Sequence, residues 1–205
     1  CTSPNSVSTL IFPADVSWGE NGIPAIVPEQ TPAPVATDDV IAEIAKAITS
    51  SKKSGKKSAL LLGGRALREP SIIAAAKIAA NNGVKLLAET FPTRIERGAG
   101  LPAVERIAYL AELAGVQLAD ITNLITVDCK PPVSFFAYPG KKSYLVPDKC
   151  TLHTLATPEQ DTAASLNKLA AALGATDAEP LLQESKRPAY PKGDLTAEKV
   201  CQAVG

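Results

Sequence analysis

The sequence predicts an α/β fold with a mainly parallel sheet, and residues 58–92 carry most of that prediction. Two short apolar strands, 59–62 and 84–88, flank an alanine-rich amphipathic segment. The first strand ends at Gly63-Gly64, where the backbone can turn tightly and approach a ligand closely. Adjacent parallel strands need a crossover of this kind, and it is right-handed in nearly all cases.

The crossover segment carries the start and stop signals of a helix. Pro70 suits the first helical turn, where its missing N–H would have no partner within the helix. Gly83 supplies a left-handed stop at the other end. Between them, apolar residues recur at helical spacing and predict one buried face: Ile72, Ile73, Ala76, Ala79 and Ala80.

The composition is that of a globular protein without a charge bias. Of the 205 residues, 45% are hydrophobic and 4% aromatic, and the formal net charge is zero. A balanced charge gives no electrostatic reason to expect nucleic acid or a membrane surface as a partner. The four cysteines are scattered without a Cys-x-x-Cys pair, which favours reduced thiols in a cytoplasmic protein over a zinc site.

The first 36 residues lie outside the predicted core. Residues 7–12 are predicted to form a strand, and no partner strand follows in the adjoining sequence. Residues 21–36 are rich in proline and predict an extended linker, which Trp18 is expected to fasten to the core. The absence of methionine and these isolated terminal elements indicate part of a longer protein.

The core begins with a predicted helix capped by Thr37. Asp38 and Asp39 complement the positive end of the helix dipole. The predicted buried stripe of this helix is Val40, Ile41, Ile44, Ala45 and Ile48. A lysine-rich solvated loop, residues 50–57, is expected to connect the helix to the first strand.

Further elements are predicted after the second strand. A polar, glycine-bearing loop spans residues 94–100, and Pro102 is expected to open a helix. The inward face of that helix would be Val104, Ile107, Ala108 and Ala111. Residues 124–127 form the next strand, and the loop 131–140 contains three of the few aromatic residues.

The C-terminal third predicts one more strand and two helices. Residues 151–155 form the strand, and Thr157 and Gln160 fit a capping box with Pro158 at the first helical position. The core stripe of that helix is Ala163, Leu166, Leu169, Ala170 and Leu173. After Gly174 the chain becomes a linker until a last helix, which begins near Leu195.

Six segments of the chain carry a resemblance to the thiamine-diphosphate-dependent enzymes, in the same order along the sequence. Residues 11–16 resemble the last strand of their pyrimidine-binding domain, and residues 195–200 resemble the first helix of their pyrophosphate-binding domain. The turn at 60–65 resembles the opening of their central domain. A bacterial subgroup of acetolactate synthase large-subunit homologues, related to benzoylformate decarboxylase, is similar at three further segments: 89–92, 94–100 and 131–140.

The resemblance implies a Rossmann-like, three-layer central domain with parts of its neighbours on either side. In chain order, the implied division is 1–20 (terminal strand of a preceding pyrimidine-binding domain), 21–36 (linker), 37–174 (central domain), 175–192 (linker) and 193–205 (first helix of a following pyrophosphate-binding domain). The longer enzyme would be a homo-oligomeric 2-oxo-acid carboligase or decarboxylase, a transferase or lyase that uses thiamine diphosphate and Mg²⁺.

The family motifs that hold this cofactor have no counterpart in these residues. They are an activating glutamate in the pyrimidine-binding domain and a Gly-Asp-Gly sequence followed by an asparagine in the pyrophosphate-binding domain. The chain is therefore expected to be inactive alone, with no catalytic or metal-binding residue of its own. Its expected partners are those two domains.

Gly63, Gly64 and Arg65 form a candidate nucleotide-binding turn. A glycine turn before a helix N-terminus can hold a phosphate, and some members of the family bind FAD or ADP in this domain whereas others leave it empty. The full Gly-x-Gly-x-x-Gly fingerprint is absent. The alternative is a structural turn whose arginines pair with Glu69 and Glu89. Two alternative functions follow. One is a free-standing nucleotide-binding module that uses this turn, and the other is an assembly domain in which the aromatic loop at 131–140 and the strand at 7–12 drive association.

Thr90, Phe91 and Arg94 are candidates for lining a substrate channel. They follow the second strand at the carboxyl end of the sheet, where open α/β folds bind ligands. The guanidinium of Arg94 has the geometry to hold a substrate carboxylate. The alternative is a solvated charge run in which Arg94, Glu96 and Arg97 pair among themselves.

Two other candidate residues are expected to be structural. The single histidine, His153, lies in the middle of a strand, and Ser134 lacks the Gly-x-Ser-x-Gly context of a serine nucleophile. Phe135, Phe136 and Tyr138 either dock on a neighbouring domain or pack into the local core.

Overall fold

A parallel sheet forms the centre of the fold. The computed structural model describes Val7 and residues 9–20 and 22–204. Within them the sheet has five strands: β1 (Lys57–Leu62), β2 (Lys85–Ala88), β3 (Glu105–Arg106), β4 (Ile121–Val127) and β5 (Thr151–Ala156). Their order is β3-β2-β1-β4-β5, and every neighbouring pair is parallel, which confirms the predicted α/β class.

Helices cover both faces of the sheet. Three of them, α2 (Asp38–Lys53), α3 (Glu69–Asn82) and α5 (Thr162–Ala172), pack against one another and share a core with Leu60 and Leu62. The alternate residues of the same strand, Ala59 and Leu61, belong to a second core with Ala114 and Leu118 of α4 (Ala111–Leu118). Because successive side chains of a strand point to opposite faces, these are the two sides of one sheet. The layers are therefore helix, sheet and helix, as predicted.

The strand order reverses beside β1. The chain runs outward from β1 to β2 and β3, then returns to β4 on the other side of β1 before reaching β5. The carboxyl ends of β1 and β4 are therefore neighbours at the switch point, the place where open α/β sheets bind ligands. We call the edge of the sheet where the strands end the carboxyl edge. The Gly63-Gly64 turn lies there, next to Asp128.

The central crossover matches its sequence signals. Pro70 is in the first turn of α3, and Gly83 ends the helix in the left-handed conformation with φ of 69°. Thr37 precedes α2 as predicted but makes no side-chain capping bond. The expected loop at 50–57 is wrong, because α2 continues to Lys53 and buries Ser51. The Ser51 hydroxyl accepts a hydrogen bond from Asn123 Nδ2 at 2.6 Å.

The helix predicted to open at Pro102 is also wrong. The segment instead forms the short edge strand β3, and Ile107 N donates to Ala88 O at 2.9 Å. Val104 packs against the core on the α2, α3 and α5 side, whereas Ile107 is buried in the core on the α4 side. A spacing of three residues thus reaches opposite faces of a strand, although it also fits one face of a helix. The helix α4 begins only at Ala111.

The predicted capping box closes a turn and not a helix. Thr157 N donates to Gln160 Oε1 at 2.9 Å, and Gln160 N donates back to Thr157 O at 3.0 Å. The helix α5 starts later, and its cap is Asp161, whose carboxylate accepts from Ala164 N at 2.9 Å. The hydrogen bonds of a capping box therefore form, but the helix begins about one turn later than this signal predicted.

The terminal segments make few contacts with the core. Val7 and residues 9–12 form no strand, and Ser8 lies outside the described residues. Trp18 ends the short helix α1 (Ala14–Trp18) with 86% of its surface exposed, so the expected contact with the core does not form. The predicted C-terminal helix is present as α6 (Ala197–Val204). In the part of the chain described, no helix has the length and apolar character to cross a bilayer.

Candidate functional site

The turn after β1 is the candidate phosphate-binding turn, with a purely structural turn as the alternative. Gly63 N donates to Val127 O at 3.0 Å, which joins the turn to the end of β4. Gly64 has φ of 42°, in the left-handed region that glycine tolerates, and opens a single 3-10 turn, Gly64–Leu67. The backbone N–H groups of Gly64 and Arg65 point towards the switch point, as a phosphate site would require.

Those N–H groups are already bonded to carboxylates of the chain. Arg65 N donates to Asp128 Oδ2 at 2.7 Å, and Gly64 N donates to Glu89 Oε1 at 3.3 Å. Asp128 is buried and adopts φ of 54°, a conformation that aspartate tolerates better than most residues. Two negative side chains therefore occupy the place where a phosphate would bind, and they would also repel it.

The glycines are needed because protein atoms approach them. A Cβ at Gly63 would lie 2.5 Å from Cys129 Cβ and 2.7 Å from Glu89 Oε1. A Cβ at Gly64 would lie 2.5 Å from Asp128 Oδ2. The absence of side chains is thus explained without a ligand, and the geometry favours the structural turn.

The arginines of the turn have partners other than the expected Glu69 and Glu89. The Arg65 side chain donates to Pro158 O at 2.6 Å and to Gln160 O at 2.7 Å, and its Nε lies 3.8 Å from Asp128 Oδ2. These contacts fasten the turn after β5 to the turn after β1. Arg68 instead pairs with Glu96, with Nη1 3.4 Å from Oε1.

Burial controls the protonation of the two groups beside the turn. Burial raises the pKa of Glu89, with a smaller contribution in the same direction from the charge of Asp128. Burial also raises the pKa of the Cys129 thiol to about 12. The thiol donates to Leu61 O at 3.2 Å, so it is a protonated structural group and not a nucleophile.

The structure separates the predicted channel residues into two places. Thr90 and Phe91 line a cavity of about 180 Å³ at the carboxyl edge, together with Glu89, Ile107 and Lys130. Arg94 does not line that cavity. It lies in the loop beyond, with its side chain 66% exposed and its Nη2 3.4 Å from Glu96 Oε1.

Glu96 connects the Arg94 loop to the start of α3. Its Oε2 accepts a hydrogen bond from Glu69 N at 2.7 Å, and its Oε1 lies near Arg68 and Arg94. The Glu69 N–H bond, helped by the two guanidinium charges, holds the pKa of Glu96 below its ordinary value. Arg94 and Glu96 therefore pair with each other, as the alternative of a self-paired charge run expected, and Glu96 also binds the N-terminus of α3.

Five aromatic rings meet at the carboxyl edge. Phe135, Phe136 and Tyr138 are joined by Phe91 and Tyr109, with neighbouring ring centroids 4.8 to 6.2 Å apart. We call these five residues the aromatic cluster. Each is between 47% and 62% exposed, so local core packing is the wrong interpretation of the aromatic loop. Sequence reasoning missed Tyr109, because it was placed in a helix that does not form.

His153 and Ser134 are structural, as expected. The His153 side chain is 8% exposed, and its ring nitrogens lie 3.0 Å from Glu43 Oε1 and 3.1 Å from Asn123 Oδ1. Ser134 Oγ donates to Phe136 O at 2.9 Å and supports the aromatic loop. Within residues 7, 9–20 and 22–204, no group of three or more His, Cys, Asp and Glu side chains is placed to hold a metal ion.

The fold is the one found in enzymes that depend on thiamine diphosphate. A thiamin diphosphate-dependent enzyme structure from Mycobacterium smegmatis superimposes on 78% of this chain with a TM-score of 0.54 at 18% identity. The thiamine diphosphate-dependent 4-hydroxybenzoylformate decarboxylase of Rhodococcus jostii superimposes on 82% with a TM-score of 0.55 at 15% identity. This chain covers 33% of each of those structures.

A sequence relative matches almost the whole chain. The chain is 41% identical over 208 residues to IlvX of Mycobacterium tuberculosis, an acetolactate synthase large-subunit-like protein. The match covers 99% of this chain and 38% of IlvX, and no protein-family model matches the chain. The chain is thus homologous to an acetolactate synthase large-subunit-like protein over nearly its whole length, spans about two fifths of that protein, and has the fold of a domain found in thiamine-diphosphate-dependent enzymes.

Proposed function

We propose that the chain is the central domain of an acetolactate synthase-like carboligase or decarboxylase and is not catalytic on its own. One observation carries this proposal: the similarity to IlvX extends over 99% of the chain but over only 38% of IlvX. The longer enzyme would act on a 2-oxo acid with thiamine diphosphate. In it, this chain would separate the two domains that hold the cofactor.

The packing of the chain supports a division into a core and two flanking parts. The sheet and α2 to α5 share two hydrophobic cores, which lie within residues 36–175. In contrast, no described residue of α1 or α6 is buried. Short helices are marginal in water without a packing partner. Residues 1–20 and 193–205 therefore fit the role of segments that complete neighbouring domains.

The described residues do not fit thiamine diphosphate or its metal ion. They contain no metal-binding cluster, and the N–H groups of the one glycine turn suited to a diphosphate already hold Asp128 and Glu89. The other domains of the longer enzyme would bind the cofactor and Mg²⁺. The same two carboxylates argue against an FAD or ADP site at Gly63, Gly64 and Arg65.

The contribution of this chain to the active site would be a part of the substrate channel. Thr90 and Phe91 line a cavity at the carboxyl edge, and the exposed Arg94 presents a guanidinium in the adjoining loop. Only Glu96 pairs with Arg94 among the described residues, at 3.4 Å, which leaves further N–H donors for a substrate carboxylate. Arg94 would bind an anionic substrate once the neighbouring domains close the channel.

Calorimetry tests the proposal on two polypeptides. The first is the 205-residue chain, and the second is a hybrid in which this chain replaces the matched segment of IlvX. We expect no saturable heat when the chain is titrated with thiamine diphosphate and Mg²⁺, and saturable binding to the hybrid. Saturable binding to the chain alone would contradict the proposal.

A thermal-shift measurement with FAD and with ADP tests the nucleotide alternative. A ligand at 100 times its dissociation constant stabilises the folded state by about 2.7 kcal/mol, which a melting curve detects readily. We expect no shift. A shift that Arg65→Ala abolishes would favour a nucleotide-binding module instead.

A further inference from the structure

The polypeptide enters the core at the carboxyl edge. Asp161 N donates to Pro34 O at 2.8 Å, and Ala36 N donates to Ser165 Oγ at 3.0 Å. Both contacts fix the incoming linker to the first turn of α5. Since α5 follows a parallel strand, its first turn lies where that strand ends. Whatever precedes residue 34 therefore approaches from this edge.

The polypeptide also leaves towards the carboxyl edge. Pro180 lines a cavity with Val84, which precedes β2 and so lies at the opposite edge. Three residues later, Gln183 N donates to Leu101 O at 2.9 Å, and Gln183 shares a cavity with Glu96. Glu96 in turn contacts the first turn of α3, which is at the carboxyl edge. The outgoing linker thus runs across the sheet in this direction.

The aromatic cluster lies at the same edge. Phe91 follows the end of β2, and Phe135 and Phe136 follow the end of β4. Leu110, next to Tyr109 in the sequence, is also mostly exposed. Contiguous apolar surface of this kind is rare on a monomer and marks an interaction site, and aromatic residues are enriched in such sites.

We propose that the aromatic cluster is the docking surface for the domain that follows α6 in the longer enzyme. This inference rests on the proposed function. The chain matches only 38% of IlvX, so the parent would have other domains to pack against this one. The linker from residue 183 to residue 195 can extend over about 40 Å at ~3.3–3.6 Å per residue, enough to place a domain over the cluster.

The rings also define the chemistry of the partner. They contact each other mostly edge to face and leave about half of their surface to solvent, so an apolar partner surface gains the burial that the chain itself does not provide. The occupant is therefore an apolar face of the following domain and not a charged ligand. A second copy of the chain is the competing occupant.

Chemical footprinting with a carbene reagent tests the proposal. Labelling of Phe135 and Phe136 is measured in the isolated chain and in the IlvX hybrid. Val116 is the matched control, since it is 75% exposed and lies in the second half of α4, away from the carboxyl edge. We expect several-fold weaker labelling of the two rings in the hybrid and equal labelling of Val116. Equal labelling of the rings in both proteins would overturn the proposal.

A pair of substitutions provides a second measurement. Phe136→Ser is expected to lower the melting temperature of the hybrid clearly more than that of the isolated chain, in which the ring is only half buried, whereas Val116→Ser should have an equal, small effect on both. An equal effect of Phe136→Ser on the two proteins would count against docking. If the hybrid does not fold, the isolated chain is mixed with the part of IlvX that follows the matched segment, and the footprinting is repeated on this mixture. Ring labelling that does not change on mixing would overturn the proposal.

The results separate this inference from the proposed function and from a second copy. A hybrid that binds thiamine diphosphate while its rings stay exposed refutes the docking surface alone. Protected rings in a hybrid that binds no cofactor refute the proposed function alone. Sedimentation of the isolated chain, with ring labelling that weakens as the chain dimerises, would assign the surface to a second copy instead.

Discussion

Replacement of Gly64 by alanine tests the account of the switch-point turn. Gly64 has φ of 42°, and a Cβ there would lie 2.5 Å from Asp128 Oδ2 and 2.8 Å from Asp128 Cγ. The Asp128 side chain is buried and bonded to Arg65 N at 2.7 Å. It can move away from a methyl group only by giving up that hydrogen bond. The substitution should therefore cost both backbone strain and a charge-assisted contact.

The magnitude follows from these two contributions. A non-glycine residue in the left-handed region costs about 1–2 kcal/mol. Loss of a hydrogen bond to a charged group costs about 1.5–3 kcal/mol. Gly64→Ala should thus lower the free energy of unfolding by about 2.5–5 kcal/mol, a large part of the stability of an ordinary domain.

Gly83→Ala is the matched control. Gly83 also has positive φ, 69°, but a Cβ there would meet no atom within 4 Å. It should cost only the conformational part, about 1–2 kcal/mol. A second control places Gly64→Ala in an Asp128→Ala background, where the obstructing carboxylate is gone. In that background the cost should fall to the Gly83 value, because the two sites act through one contact.

Urea unfolding followed by circular dichroism measures all four variants. Gly64→Ala should be more destabilising than Gly83→Ala by about 1.5–3 kcal/mol, which is the hydrogen-bond contribution. A difference below about 0.5 kcal/mol, the usual limit of additivity, would refute the packing of Asp128 against the turn.

Three further outcomes follow from the site. The stability of Glu89→Gln relative to the wild type should increase as pH rises from about 4 to about 7. Burial raises the folded-state pKa of Glu89 above its ordinary 4.5, so the wild-type protein loses stability as pH rises through that pKa. Glutamine does not ionise and therefore does not show this loss. Unfolding curves with no change in the difference across this range would contradict it. In the native chain at mildly alkaline pH, iodoacetamide should modify the exposed Cys201 and spare Cys129, whose pKa is about 12; mass spectrometry after short exposure decides, and early loss of the Cys129 thiol would be inconsistent with its burial. Arg94→Ala should change the stability of the chain by less than about 1 kcal/mol, since its ion pair is exposed, but should lower the kcat/KM of an active longer enzyme about tenfold to a hundredfold. A kcat/KM within about twofold of the wild type would mean that Arg94 forms only a surface ion pair and does not bind substrate.

The central crossover was predicted well. The strand at 59–62, the helix with Pro70 and the Gly83 stop all occur nearly as expected, because each boundary is set by the chain conformation of its own residues. The resemblance along the whole chain likewise depended only on residue identity. The sequence therefore determined the α/β class, the central crossover and the resemblance to an acetolactate synthase large subunit.

Two other elements that also carried local helix signals were decided by their neighbours. The spacing of Val104 and Ile107 fits a helix as well as a strand, and pairing with Leu87 and Ala88 selected the strand. The capping box at Thr157 formed its bonds as a turn, and Asp161 started the helix instead. Such choices depend on contacts between residues far apart in the sequence, which no local pattern contains.

The candidate site shows most clearly what local sequence can predict and what only contacts between distant residues decide. The sequence placed Gly63 and Gly64 at the switch point, and a glycine turn there is compatible with a phosphate or with a tight protein contact. Only the tertiary structure brings Asp128 and Glu89 onto the N–H groups of the turn, because the carboxyl ends of β1, β2 and β4 converge at one edge. Once the buried carboxylate of Asp128 and the half-buried carboxylate of Glu89 accept those hydrogen bonds, electrostatic repulsion and lack of space disfavour an added anion.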